Sequence, residues 1–389
     1  MRLAVIREGK ALLYIPDPRT ALNVRSGKLE PAWLRVFYNP EMELNRDLSV
    51  QVLNAYASQT SGLRSAIDAL AGTGVRGLRY LLEIGGLRST IINDIDHEAF
   101  NLIKRNIALN ALNDVAMASN RDANALLFSL THEIGETFDV VEIDPFGSPA
   151  PFISASVAAT SKGGVLAVTA TDLAVLGGPK RHAAKRKYWL LSPPPPTRNY
   201  REVALRVLIG FMAREAASHD KALRPLFSFS VGHYARVFVT FERGGQRALR
   251  ALEENLGCIT IKDGVITMQR VEASESCYGP IWIGDLWDKD MINGLLSDNN
   301  IAKYNYQGSL SLALKVLELI GEEAKLQRAF HQRLDEICSA TKHNIPKMDF
   351  IRHKLESWGY VFAKTHMSPV GFRTDAPPEA IVEACKNSA

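Results

Sequence analysis

Cysteine is scarce and scattered. Cys258, Cys277, Cys338 and Cys385 form no Cys-x-x-Cys pair, which argues against a zinc ribbon and offers no disulfide framework, so reduced, buried thiols are expected. Long apolar runs are missing as well: nothing approaches the roughly 20 residues of a membrane span, and the opening MRLAVIREGK lacks the apolar stretch of a secretion signal. A cytoplasmic protein is expected. Nor is there a strong excess of either charge. A formal net charge of +4 over 389 residues announces no polyanionic partner, and any argument for nucleic acid has to come from local clusters. Low-complexity sequence is confined to Pro193-Pro194-Pro195-Pro196, a stiff connector, and no internal repeat is found.

What is present is enough apolar sequence, 46% hydrophobic against 23% charged, to bury a core in a chain whose length suggests two or three domains. From about residue 65 short apolar runs alternate with amphipathic stretches, the pattern of a βαβ series feeding a mostly parallel sheet. Strands are expected at 65–70, 89–94, 115–120, 138–144, 163–170, 225–233 and 235–241. Helical patterns fall at 74–85, 97–111, 123–134 and 151–160, with apolar residues at i, i+3 and i+4. Periodicity establishes only an α/β fold. Five strands joined by helices and a closing pair around a short Gly-His-Tyr turn also suit the seven-stranded sheet of methyltransferases. A break at Arg243-Gly244-Gly245 sets a boundary between residues 1–243 and a smaller α/β domain, 244–389. In the latter, helices are expected over 310–340 and 348–359, followed by an extended run at 360–368. Such a tail reads equally as a winged-helix-like nucleic-acid module or as a packed cap.

The first strand runs into Asp68-Ala69-Leu70-Ala71-Gly72-Thr73-Gly74-Val75-Arg76-Gly77, a glycine-rich turn opening a helix. Glycine lets the backbone approach a ligand closely, and amides at a helix start favour anionic groups. The second strand ends at Asn93-Asp94, about 20 residues further on, where a carboxylate can accept hydrogen bonds from ribose hydroxyls. Asp96 is better placed than Asp94 to cap the next helix, so Asp94 need not serve as a cap. Arg121-Asp122-Ala123 follows the third strand, where a side chain can meet an adenine amino group. Asp122 reads equally as an N-cap. All three elements lie at carboxyl ends of consecutive strands, the crevice in which open α/β sheets bind ligands.

The fourth strand ends in Asp144-Pro145-Phe146-Gly147-Ser148-Pro149. An acceptor followed by proline and an aromatic ring suits methylation of an exocyclic amine. Such an amine is a poor nucleophile because its lone pair is delocalised, so it must be oriented as well as approached. Hydrogen bonds to Asp144 and the Pro145 carbonyl would aim the lone pair, Phe146 would stack on the base, and Asp144 would accept the released proton. The bland alternative is a strand end closed by a proline turn.

With these motifs the chain resembles the tRNA (guanine-26-N2)-dimethyltransferase family (Trm1), in an archaeal-type form. The resemblance rests on Phe37-Tyr38-Asn39-Pro40 with Asn45-Arg46-Asp47, DALAGTGVRG at 68–77, Asn93-Asp94, DPFGSP at 144–149, VTATD at 168–172, Arg186-Lys187-Tyr188, YGPIWIGDLWD at 278–288 and THMSPVGFRTDAP at 365–377. It implies a class I, Rossmann-like S-adenosylmethionine-dependent methyltransferase that places one or two methyl groups on N2 of guanosine 26. By that resemblance Arg46, Gly72, Thr73, Gly74, Arg76, Asp94, Ile95, Asp122 and Ala123 contact S-adenosylmethionine. Asp144 with Pro145 carries the chemistry, and Phe37 and Phe146 hold the guanine after it leaves its stack. Two departures stand out. Cys258 and Cys277 are alone where some members carry four cysteines, so no metal is expected. Leu176–His182 also differs from the Cys-Gly-Ala-His-Pro form of that loop.

Between Lys180 and Tyr188 the run KRHAAKRKY holds five basic residues, Lys180, Arg181, Lys185, Arg186 and Lys187, beside the strand end that would form the pocket. Phosphate neutralisation needs such clusters, and tRNA is the expected partner. Rival readings are an N-methyltransferase acting on another RNA guanosine or a non-RNA amine, and a non-catalytic RNA-binding protein on the same fold.

Overall fold

β1 (Leu3–Glu8) and β2 (Ala11–Pro16) form an antiparallel hairpin. The computed structural model describes residues 2–23, 27–270, 274, 276–297 and 309–386. After α1 (Glu43–Gln59), strands and helices alternate: β3 (Ser65–Asp68), α2 (Val75–Glu83), β4 (Ser89–Asn93), α3 (His97–Leu109), β5 (Ala116–Ser119), α4 (Ala123–Phe128), β6 (Phe138–Ile143), α5 (Ile153–Ala159) and β7 (Thr160–Ala170). Next come α6 (Leu173–Leu176), α7 (Arg181–Tyr188), α8 (Tyr200–Ser218), β8 (Lys221–Val231) and β9 (Tyr234–Arg243). Seven strands make one sheet in the order β5-β4-β3-β6-β7-β9-β8. β3, β4, β5, β6 and β7 pair in parallel, and β8 with β9 antiparallel. This is the expected α/β sheet with its closing hairpin. Pro225 sits at a register shift of β8, tolerated because β8 is the sheet's edge.

The chain divides into two units. One holds the described residues of Met1–Pro145, Pro151–Val168 and Ser297–Leu314; the other holds those of Phe146–Ala150, Thr169–Leu296 and Lys315–Ala389.

In the first unit, Ala11, Leu13 and Ile15 join Leu78, Ile92 and Ile103 in one buried cluster. Two helix asparagines bind the edge of β2 as a neighbouring strand would. Asn106 accepts from the Tyr14 amide at 2.7 Å and donates to its carbonyl at 3.1 Å, and Asn110 does the same for Leu12 at 2.9 and 2.7 Å. Buried backbone groups must be paired, and these side chains provide the partners. Gly77 allows α2 to lie against β4, since a Cβ there would stand 2.8 Å from Ile92 Cγ1. Chain order reverses between β3 and β6, the position at which open α/β sheets form their ligand crevice.

The rest of the chain continues with α9 (Gly245–Asn255), β10 (Leu256–Lys262), β11 (Val265–Gln269), β12 (Tyr278–Trp282), α10 (Lys289–Leu295), α11 (Ser309–Glu323), β13 (Gln332–Arg333), α12 (Leu334–Thr341), α13 (Met348–Ser357), β14 (Phe362–Lys364), β15 (Gly371–Thr374) and α14 (Pro378–Lys386); all of these lie in the second unit except the start of α11, which belongs to the first up to Leu314. Small sheets form in the orders β11-β10-β12 and β13-β15-β14. The helix expected over 310–340 is interrupted. α11 ends at Glu323, and β13 intervenes before α12. Tertiary pairing overrides helix periodicity here: the Gln332 carboxamide accepts from the Ile266 amide at 2.9 Å and donates to its carbonyl at 2.8 Å, while the adjacent His331 is buried against Glu202.

The expectation of four reduced thiols is also corrected. Cys258 on β10 and Cys277 just before β12 form a disulfide across 19 residues. The β10–β12 pairing brings them together, a proximity that spacing alone does not reveal. Cys338 and Cys385 are free and buried.

Charge is buried in this unit too. Arg373 pairs with Glu202 at 2.7 Å and Glu323 at 2.8 Å, and all three side chains are fully buried. Burial opposes ionisation of Glu323, but His366 and Arg373 outweigh it and hold the carboxyl down at about 2.

Candidate active site

The turn after β3 is built by backbone conformation. Gly72 and Gly74 take positive φ of 55° and 79°, a region closed to most side chains. Gly72 also passes close to the N-terminal arm, where a Cβ would lie 3.0 Å from the Phe37 carbonyl oxygen. The glycine turn and the Phe37 segment therefore meet, with Phe37 half-buried. Between the glycines, Thr73 is buried, and its hydroxyl has no hydrogen-bond partner among the described residues. An orphaned hydroxyl inside a cradle formed by two positive-φ glycines is a fit for a polar ligand.

Asp94, after β4, is half-buried; Ile95 beside it is exposed. One Asp94 oxygen accepts from the Gly72 amide at 2.7 Å and the other from the Asp96 amide at 2.9 Å. Burial raises its pKa, and these amides partly offset the rise. Asp96 caps α3 by accepting from the Glu98 amide, which leaves Asp94 beside the turn as expected. Asp122 caps α4 through the Ala125 amide at 2.9 Å, and Ala123 is buried behind it.

Asp144 follows β6. Its Oδ2 accepts from Arg76 Nη2 at 2.6 Å. Arg76 is 3% exposed and also bonds Ser49 Oγ and Asn45 Oδ1, with Glu142 at 3.4 Å. Tyr80 donates to Glu142 at 2.7 Å. Burial acts to lower the Arg76 pKa, but Glu142 and Asp144 raise it well above its ordinary value, so its charge is permanent. Asp68, at the end of β3, is pushed up to about 7, first by burial and then by Glu142. Three carboxyls around one guanidinium thus stand at the carboxyl ends of β3 and β6, with Asp144 the more exposed of the acids that Arg76 contacts.

Arg46 is 5% exposed and its fork is occupied by Glu8, at 2.5 and 2.6 Å, and by the Asn39 carbonyl. Glu8 also accepts from Tyr38. Burial works against that charge, yet Arg46 and Arg79 hold the Glu8 carboxyl down at about 2. The visible work of Arg46 is to fix the segment carrying Phe37.

In the second unit Phe146 is 73% exposed. The residues behind it are clamped: Gly147 donates to Thr171 Oγ1 at 2.8 Å, and the Thr171 amide returns a bond to the Gly147 carbonyl. Ser148 Oγ lies 2.7 Å from the Tyr188 hydroxyl, which donates to Asp172 at 2.9 Å. Lys180, just before α7, and Arg181, Lys185 and Arg186 on it are exposed, and Lys187 is half-exposed. Lys187 Nζ lies 4.0 Å from Asp172.

Sequence reasoning singled out Asp94, Asp122 and Asp144. It missed Glu142, Tyr80 and Glu8, and it treated Arg76 only as a cofactor contact. An acid inside the apolar strand FDVVEID was the available signal for Glu142. Among the described residues no group of three or more His, Cys, Asp or Glu side chains is arranged to hold a metal ion.

A parallel sheet with a closing hairpin, a glycine cradle after its first strand and acids after the next three defines a Rossmann-like methyltransferase of class I. The chain belongs to the N2,N2-dimethylguanosine tRNA methyltransferase family, whose pattern matches residues 23–386. It is 42% identical to the tRNA (guanine(26)-N(2))-dimethyltransferase of Aeropyrum pernix, covering 99% of this chain and 97% of that one. It is 36% identical, over the full length of both, to the enzyme of that name from Saccharolobus islandicus. Among solved structures it superposes on Trm1 from Pyrococcus horikoshii in complex with S-adenosyl-L-methionine, with a TM-score of 0.86 and 30% identity over 99% of this chain and all of that one.

Proposed function

We propose that this chain transfers one or two methyl groups from S-adenosylmethionine to the exocyclic N2 of guanosine 26 in tRNA, as the names of its relatives imply. The observation that carries the reading is Asp144, held by Arg76 at the carboxyl end of β6 and followed directly by Pro145 and Phe146. S-adenosylmethionine supplies an electrophilic methyl group. Gly72, Thr73 and Gly74 would hold it with Asp94 and Ile95 at the ribose and Asp122 and Ala123 at the adenine. Arg46, which bonds Glu8, and Arg76, which bonds Asp144, would also contact S-adenosylmethionine.

Asp144 and the Pro145 carbonyl accept hydrogen bonds from the N2 amine, which orients its lone pair for attack, and Asp144 takes the proton that the amine releases on methylation. Orientation is the main need of a delocalised amine, and the buried Arg76 keeps the acceptor in one geometry. Phe37 and Phe146 supply the aromatic surfaces that replace lost base stacking, worth about 1–3 kcal/mol per base. Lys180, Arg181, Lys185, Arg186 and Lys187 meet phosphates, and residues 244–389 form a further tRNA-contacting domain. We place the enzyme in the cytoplasm with its substrate.

The test is transfer of labelled methyl to unmodified tRNA transcripts carrying guanosine or adenosine at position 26, followed by nucleoside analysis. N2-methylated guanosine from the first transcript alone supports the reading. Label in neither, or in both equally, overturns it.

A further inference from the structure

Two buried side chains, Tyr188 and Ser148, and the half-buried Asp172 join the loop that carries Phe146 to the helix that carries the basic run. Tyr188, the last residue of α7, is fully buried, and Ser148 is 9% exposed. Tyr188 has one hydroxyl proton. It donates that proton to Asp172, 2.9 and 3.0 Å from the two carboxylate oxygens, so the 2.7 Å approach of Ser148 requires Ser148 to donate to Tyr188. Burial raises the Asp172 pKa, while Tyr188 and Lys187 pull it back. Asp172 directly follows Thr171, whose reciprocal bonds hold Gly147.

Tyr188 is itself anchored. Arg214 donates to its carbonyl at 2.7 Å, and its ring packs edge-on against Phe211 at 5.5 Å. Lys185, Arg186 and Lys187 precede it on the last turn of α7. A hydrogen-bonded hydroxyl relay therefore runs from the basic turn of α7 to residue 148, two positions beyond Phe146.

We propose that Tyr188 is a positioning residue: its hydroxyl, bridging Asp172 and Ser148, fixes the Phe146 loop relative to the RNA-facing helix, so that α7 and the aromatic platform engage the tRNA as one body. The inference rests on the function proposed above. A displacement of about 1 Å in a reacting group can cost about a hundredfold in rate, so losing one buried hydroxyl here should appear in catalysis rather than in affinity.

Tyr188→Phe keeps the ring against Phe211 and removes only the oxygen. Single-turnover transfer at saturating tRNA and cofactor should fall by about tenfold or more, with tRNA and S-adenosylmethionine affinities changed by less than about twofold. In a Phe146→Ala background the same substitution should cost less than about twofold, because the ring it positions is gone. Ser148→Ala, carried through the same cycle, covers the case in which Tyr188→Phe does not fold. An unchanged rate, an equal loss in both backgrounds, or a loss confined to tRNA affinity would overturn the inference. If the unsubstituted protein makes no N2-methylated guanosine, the functional reading fails first and this inference with it; wild-type turnover by both variants defeats the inference alone.

Discussion

Arg76 on α2 and Asp144 after β6 meet at 2.6 Å through Nη2, with Glu142 3.4 Å from Nε of the same guanidinium. Removing one partner of a buried ion pair leaves the other desolvated and unmatched, a loss of about 3–5 kcal/mol. Arg76→Met is expected to lower stability by that order in denaturant titration. A change near zero would mean that the buried acids are neutralised in some other way.

Burial and the neighbouring Glu142 push Asp68 up to about 7. Because the folded state holds this proton more tightly than the unfolded chain, Asp68 contributes stability fully below the ordinary carboxyl range, and that contribution is lost as pH rises through about 7. Asp68→Asn keeps an oxygen for the Gly77 amide and abolishes the titration. Its unfolding midpoint relative to wild type should therefore improve between about pH 5 and pH 8. A pH-independent difference would contradict this.

The Cys258–Cys277 bond closes a loop across a sequence separation of 19, for which loop entropy predicts about 3 kcal/mol of stabilisation. Thiol titration of the denatured protein should find two free thiols before reduction and four after, and reductant should lower the melting temperature. Four thiols without reductant would remove the disulfide from the account.

Reversing the charges of Lys185, Arg186 and Lys187 should weaken tRNA binding at moderate salt. The slope of log affinity against log salt should shrink by somewhat less than about one for each phosphate that is no longer neutralised. Unchanged affinity and slope would make this turn of α7 an ordinary solvated face.

Much of the sheet was legible because its strands are short apolar runs punctuated by acids and glycines, and Asp94, Asp122 and Asp144 could be placed simply by following each run to its end. The Arg76 network was not legible. Arginine on a helix ordinarily reads as a solvent face, and only tertiary packing shows that Arg76 and Arg79 are buried among Glu8, Glu83, Glu142 and Asp144. The break between α11 and α12 escaped for a similar reason: Gln332 and His331 fit a helical pattern, and their long-range partners Ile266 and Glu202 decide otherwise. Tyr188 stood out in the sequence beside the basic run, but its link to Asp172 and Ser148 exists only in three dimensions.

Asp144→Ala removes the acceptor proposed to orient the amine and leaves Pro145 and Phe146 in place. Transfer to the guanosine-26 transcript and equilibrium binding of S-adenosylmethionine would be measured on the same preparation. Transfer should fall by at least about a hundredfold, with cofactor affinity within about threefold of wild type. Wild-type turnover by Asp144→Ala would contradict that role.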